Sequence, residues 1–208
     1  IINPRKKWSG RSSRCAHLRP LISDQGAGEM KSKADLIREH LAGMRVLDIG
    51  GAGYGEQNAY EEELSEAWLV CKQRVCVDCS PPDIPINLNA LPLPPVPGMY
   101  DIATAFDVLE HLEHPVEVLR WIPGNRLIVI LPNALSWFAR KMERKNGSKH
   151  LYSFIPYTAS VLLQEGGWRV ARIEYQFGKW SALAKTINMI GSWMPSRVGT
   201  GIVLHCER

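Results

Sequence analysis

Asp48-Ile49-Gly50-Gly51-Ala52-Gly53-Tyr54-Gly55 is the stretch whose residue types and spacing first point to chemistry. Glycine reaches positive φ and lets a backbone approach a ligand closely. This turn follows directly on the β-rich run Arg45-Val46-Leu47-Asp48-Ile49. That is where a nucleotide-type ligand sits in an open α/β sheet, outside the carboxyl end of a strand. Asp78 closes the next β-rich run, Arg74-Val75-Cys76-Val77-Asp78. A carboxylate there can accept both hydroxyl protons of a ribose, a geometry common to several nucleotide-like cofactors. Its other reading is a cap on the Pro81-Pro82 turn. Cys71, Cys76 and Cys79 have a spacing seen in iron–sulfur proteins, but Cys76 lies between Val75 and Val77 in a run that reads as a buried strand. Core thiols are the expectation.

The elements that must position these residues alternate along the chain. Ser32 and Asp35 form a capping-box-like start, and Leu36, Ile37, His40 and Leu41 make an apolar stripe that Gly43 stops. The first strand and the glycine turn follow. Tyr60, Leu64, Ala67 and Trp68 then share one helical face. Seven prolines between Ser80 and Pro97 rule out a regular helix there. That stretch predicts a long loop with a short third strand near Ile86. Asp101 to Phe106 reads as a fourth strand, and helix is expected from Val108, with Pro115 opening a further turn. Arg126 to Leu131 is continuously apolar after its first residue, as in a strand buried on both faces. Pro156 suits the first turn of a helix that Gly166-Gly167 ends, and Trp168 to Tyr175 and Gly201 to Cys206 read as two final strands. The pattern predicts a single doubly wound α/β domain: a mostly parallel seven-stranded sheet with helices on both faces.

The 208 residues suffice for one such domain, and 45% hydrophobic with 22% charged residues is the ordinary globular range. A net charge of +4 is too small to argue for nucleic acid. Arg5, Lys6, Lys7, Arg11, Arg14 and Arg19 precede the first acid, Asp24, so residues 1–30 read as a basic N-terminal arm. It is either a solvated tail or a segment that touches an anionic substrate or membrane surface. Residues 31–208 form the expected domain. Five cysteines without framework spacing fit reduced thiols in a cytoplasmic setting. No signal peptide is visible, and no apolar run reaches the ~18 residues of a membrane helix.

One further set of segments discriminates between nucleotide-like cofactors. It comprises Asn87-Leu88-Asn89-Ala90-Leu91-Pro92-Leu93-Pro94, Tyr100-Asp101-Ile102, and Phe106-Asp107-Val108-Leu109-Glu110-His111-Leu112. With the glycine turn and Asp78, these resemble in order and spacing the class I S-adenosylmethionine-dependent methyltransferases. The resemblance is closest to the group acting on small molecules, lipids and natural products, and runs from about Val46 to Val170. Arg126-Leu127-Ile128-Val129-Ile130-Leu131-Pro132-Asn133 agrees with it, as does His150-Leu151-Tyr152-Ser153-Phe154 leading to Glu165-Gly166-Gly167-Trp168.

The resemblance implies methyl transfer from S-adenosylmethionine, with S-adenosylhomocysteine as product, to a small or lipid-like acceptor. It implies a cofactor site of Asp48, Gly50, Gly51, Gly53, Asp78, Cys79, Asn87, Leu88, Phe106 and Asp107. Within it the glycine turn packs on the methionine half and Asp78 holds the ribose. Asn87 stands where relatives carry an acid facing the adenine amino group, and Leu88 offers a backbone amide to the ring. Phe106 and Asp107 line the methionine end. His111 and His150 are the candidate bases, since imidazole accepts protons near neutral pH. For His111 the favoured alternative is a helix-start residue that orders the cofactor loop. Asp107, Glu110 and His111 also resemble a divalent-metal cluster of some ubiquinone-pathway O-methyltransferases, but no metal is assigned.

The sequence departs from the family in three places. Gly51, Gly53 and Gly55 are shifted by one step, with Ala52 and Tyr54 between them; the stretch from Gly55 to Asp78 is long; and the proline-rich loop replaces a helix. Leu183, Ile187 and Ile190 share one helical face between the last two strands, with Trp180, Met189, Trp193 and Met194 nearby. Residues 178–195 are therefore expected to pack on the core, to support a homodimer, or to cap the acceptor side of the site. Two other functions remain open at this point: an NAD(P)-dependent oxidoreductase, and a cofactor-binding domain without catalysis.

Overall fold

The computed structural model describes residues 31–51, 59–78, 83–137, 139–140, 150–176 and 195–208. The expected basic arm and all of the expected cap except Pro195 lie outside these residues.

Ser32 starts the first helix, α1 (Lys33–His40), with a complete capping box. Its side chain accepts from the Asp35 N–H at 3.2 Å, and the Asp35 carboxylate accepts from the Ser32 N–H at 3.1 Å. Strand β1 (Arg45–Ile49) leads into the glycine turn. Helix α2 (Ala59–Trp68) and strand β2 (Gln73–Asp78) follow, then the two-residue strand β3 (Ile84–Pro85). Strand β4 (Ile102–Phe106) is buried along its length. Helix α3 (Pro115–Trp121), strand β5 (Arg126–Pro132), helix α4 (Pro156–Glu165), strand β6 (Arg169–Gln176), the single turn α5 (Pro195–Val198) and strand β7 (Gly201–Glu207) complete the order.

The strands form one seven-stranded sheet in the order β3-β2-β1-β4-β5-β7-β6. The pairs from β3 to β5 are parallel, and β7 runs antiparallel to both β5 and β6. The mostly parallel doubly wound sheet is therefore present. One face packs α3 and α4 through Val118, Leu119 and Leu163 against Leu47, Val77, Leu127 and Val129. The other face packs α1 and α2 through Ile37, Leu41 and Leu64 against Val46, Ile102, Ile128 and Val203. None of the described helices is long and apolar enough to cross a membrane.

Two local expectations are refined. The helix expected from Val108 is only a 3₁₀ turn, Leu109–His111, after which Leu112 is extended. Pro115 disfavours the α conformation at His114, so the regular helix starts afresh there. The loop after β3 is helix-free among its described residues but is fixed in place. Ile86 and Leu88 are buried, Trp121 Nε1 donates to the Pro94 carbonyl at 2.7 Å, and the Asn89 amide oxygen accepts from the Glu113 N–H at 2.9 Å.

Candidate functional site

The carboxyl ends of β1, β2 and β4 lie side by side, because Ile49 pairs with Val77 on one flank and with Ala105 on the other. Gly50 and Gly51 leave β1 at this point. Gly50 has φ +74° and donates its N–H to the Val77 carbonyl at 2.8 Å. A Cβ at Gly50 would stand 2.3 Å from Val108 Cγ2, so the turn and the segment after β4 touch with no room for a side chain. At Gly51 a Cβ would stand 1.9 Å from the Asp48 carboxylate. Both glycines are required by space, and Gly50 also by conformation.

Asp48 is almost wholly buried and serves the turn from beneath. Its carboxylate accepts from Arg74 Nε at 3.0 Å and from the Thr104 hydroxyl at 2.7 Å. The same guanidinium donates to the Gly51 carbonyl at 3.0 Å and lies 4.4 Å over the Trp68 ring. Burial pushes the Asp48 carboxyl up, against the pull of Arg74 and Thr104. Its oxygens are engaged inside the protein, so Asp48 fixes the shape of the glycine turn through Arg74. Arg74 is a part of the site that the sequence reading missed.

Asp78 ends β2 beside Gly50 and is partly buried. Its carbonyl accepts from the Ile86 N–H at 2.9 Å, which draws the following loop toward the strand end. Leu88 is buried in the core with Ile49, Val77 and Val108. Asn87 is exposed, and its amide oxygen accepts from the Asn89 N–H at 3.0 Å, a local turn. Gly53 and Cys79, also expected in the site, lie outside the described residues. Cys76 is a core thiol whose pKa burial pushes up to about 12.

At the end of β4, Asp107 adopts φ +52°. Aspartate is among the few residues that tolerate this region. Its N–H donates to the Ile130 carbonyl at 2.9 Å, and its carboxylate is ion-paired with Lys33. Lys33, in the first turn of α1, is buried although a helix N-terminus disfavours a cation. That mismatch was the one sequence signal for it. Phe106 is placed differently from expectation: its ring is in the α1–α2 core, stacked on Trp68 at 6.0 Å. Only its backbone borders the site.

The His111 and His150 rings meet edge to face with centroids 4.7 Å apart. Glu110 is fully buried beneath them, and its carbonyl accepts from the Leu151 N–H at 2.8 Å. The ligand-type atoms of Glu110, His111 and His150 all lie within 4.8 Å of one another. The cluster read from sequence is thus regrouped: Asp107 goes to Lys33, and His150 joins Glu110 and His111. The two imidazoles can move a proton, and with the carboxylate they offer a donor set suited to a transition ion.

No family model and no curated protein matches the chain. Solved structures do. An S-adenosylmethionine-dependent methyltransferase of Mesorhizobium loti matches at 15% identity and TM-score 0.52, covering 84% of this chain and 95% of that one. One of Thermotoga maritima matches at 16% identity and TM-score 0.55, covering 85% and 87%. One of Archaeoglobus fulgidus matches at 17% identity and TM-score 0.50, covering 84% and 89%. The chain has the Rossmann-like fold of these enzymes.

Proposed function

We propose that this chain is a class I methyltransferase that moves the methyl group of S-adenosylmethionine to a small or lipid-like hydroxyl or amine. The observation that carries this reading is the glycine turn. Gly50 and Gly51 have no room for a Cβ, and the turn is held from below by Asp48 and Arg74. On either side stand Asp78 and Asp107, at the ends of the neighbouring strands. In a sheet of this fold, such a cradle fits a nucleoside with an amino-acid tail.

When bound, the cofactor supplies an electrophilic methyl on a sulfonium. The residues of this chain bind and orient. Asp78 accepts from the ribose hydroxyls. The Gly50-Gly51 backbone lies along the amino-acid tail, and the Asp107–Lys33 pair stands at that end. The Leu88 amide faces the adenine, with Asn87 at its rim. In-line transfer needs alignment above all, and a hydroxyl acceptor must also lose a proton. His150, partly exposed beside His111, is the candidate to take it. Residues 31–208 form the catalytic domain in this reading, and the setting is cytoplasmic.

Calorimetry with S-adenosylhomocysteine and with NAD tests the reading. Binding of the first and not the second is expected, and the reverse result would remove the proposal. Transfer of labelled methyl to acceptor pools then separates an enzyme from a domain that only binds.

A further inference from the structure

A second cluster of potential ligands lies across the sheet from the glycine turn. Asp48 pairs with Thr104, Thr104 with Ile128, and Ile128 with His205, so His205 is three strands away from Asp48, about 14 Å by strand spacing. There His40 from the end of α1, Glu174 from β6 and His205 from β7 converge. Their ligand-type atoms all lie within 4.8 Å of one another. The two imidazole rings meet edge to face at 4.8 Å, and Glu174 Oε1 is 3.3 Å from His205 Nε2.

This arrangement leaves a polar atom unsatisfied. His40 Nε2 is buried and makes no hydrogen bond, while the buried His205 Nε2 faces the Glu174 carboxylate at 3.3 Å. Native proteins seldom leave such an atom without a partner, and a buried orphan is costly. One cation between the two imidazoles satisfies both. The ligand-to-ligand edge around tetrahedral Zn²⁺ is about 3.3 Å, given bonds of roughly 2.0–2.1 Å, which the Glu174–His205 pair already has.

We propose that His40, Glu174 and His205 bind a divalent transition ion of the Zn²⁺ or Co²⁺ type, tying the end of α1 to β6 and β7. Two imidazoles and one carboxylate favour such ions over Mg²⁺ and Ca²⁺, which take oxygen ligands. Glu39, whose carboxylate is 3.9 Å from His40 Nε2, is a second anion at the rim. Two cations compete there: Lys31 is paired with Glu39, and Arg172 lies 2.6 Å from Glu174. The Arg172 side chain is 53% exposed, and the proposed site requires it to turn into solvent when an ion arrives.

The test uses the full chain, stripped with a chelator and titrated with Co²⁺ by visible absorption, then with Zn²⁺ by thermal melting. Saturable Co²⁺ binding and a rise in melting temperature with Zn²⁺ are expected. His40→Gln and His205→Gln should each weaken Co²⁺ binding at least tenfold, a loss of about 1.4 kcal/mol or more. His150→Gln should leave it unchanged, which separates this site from the Glu110–His111–His150 cluster. If His205→Gln fails to fold, His40→Gln at the helix end carries the test alone. No saturable binding, binding lost only in His150→Gln, or binding that is unchanged when His40→Gln is added to His150→Gln would each overturn the proposal. None of these outcomes depends on S-adenosylhomocysteine, so the proposed transfer function stands or falls separately.

Discussion

Lys33 and Asp107 are 74 residues apart in sequence, and their ion pair joins the first turn of α1 to the end of β4. The ammonium is nearly buried, while the carboxylate is 38% exposed. Removing one partner therefore leaves a charge that water reaches from one side only. Lys33→Met should lower stability by about 1–3 kcal/mol in urea unfolding. Lys33→Met with Asp107→Asn should lose less than the sum of the two single losses. Additive losses would show that the pair contributes nothing.

Gly50→Ala meets two obstacles, the positive φ and the Val108 side chain. A loss of about 1–3 kcal/mol is expected. Val108→Ala in the same chain should return part of it, because it removes the closest clash, with Cγ2, and leaves the Cβ contact at 2.8 Å and the backbone strain. Urea midpoints for the three variants check this, and equal midpoints for Gly50→Ala with and without Val108→Ala would contradict the contact.

Asp78→Ala tests the ribose assignment. Charge-assisted bonds are worth roughly 1.5–3 kcal/mol each, so S-adenosylhomocysteine affinity should fall at least tenfold. Calorimetry at constant melting temperature is the measurement, and unchanged affinity places the carboxylate elsewhere.

His40 gives a pH dependence whose sign is fixed. Its pKa is lowered by folding from the ordinary 6.5, so the unfolded chain takes up the proton first as pH falls. Its contribution is fully present above pH 6.5 and is lost as pH drops through the lower, folded value. In chelator-treated protein, His40→Gln should flatten the fall of urea stability on the acid side of pH 6.5. An identical slope in both proteins would assign that loss to other groups.

What the sequence revealed of this architecture was mostly local. The Ser32–Asp35 capping box, the strand into Gly50 and the end of α4 at Gly166-Gly167 each involve residues a few positions apart. The sheet itself could be read because strand and helix alternate. Partners created by strand order could not: Arg74 reaches Asp48, and Lys33 reaches Asp107, only once β1 lies between β2 and β4. The direction of the Phe106 ring was hidden for another reason. β4 is covered on both faces, so its sequence lacks the alternation that would tell one face from the other. The resemblance set Asn87 opposite an adenine amino group, while the structure shows its amide oxygen accepting from the Asn89 N–H two residues on.

The position of β7 has a consequence for synthesis. Among the described strands it comes last in sequence but sixth across the sheet, and there β6 pairs with β7 alone. A chain leaving the ribosome completes β5 and β6 well before residues 201–207 emerge. During that interval Leu127, Ile128, Val129, Ile130 and Leu131 form an apolar strand with one open edge. Open apolar edges recruit other chains. The nascent protein therefore exposes this apolar strand edge until the seven residues of β7 close the gap.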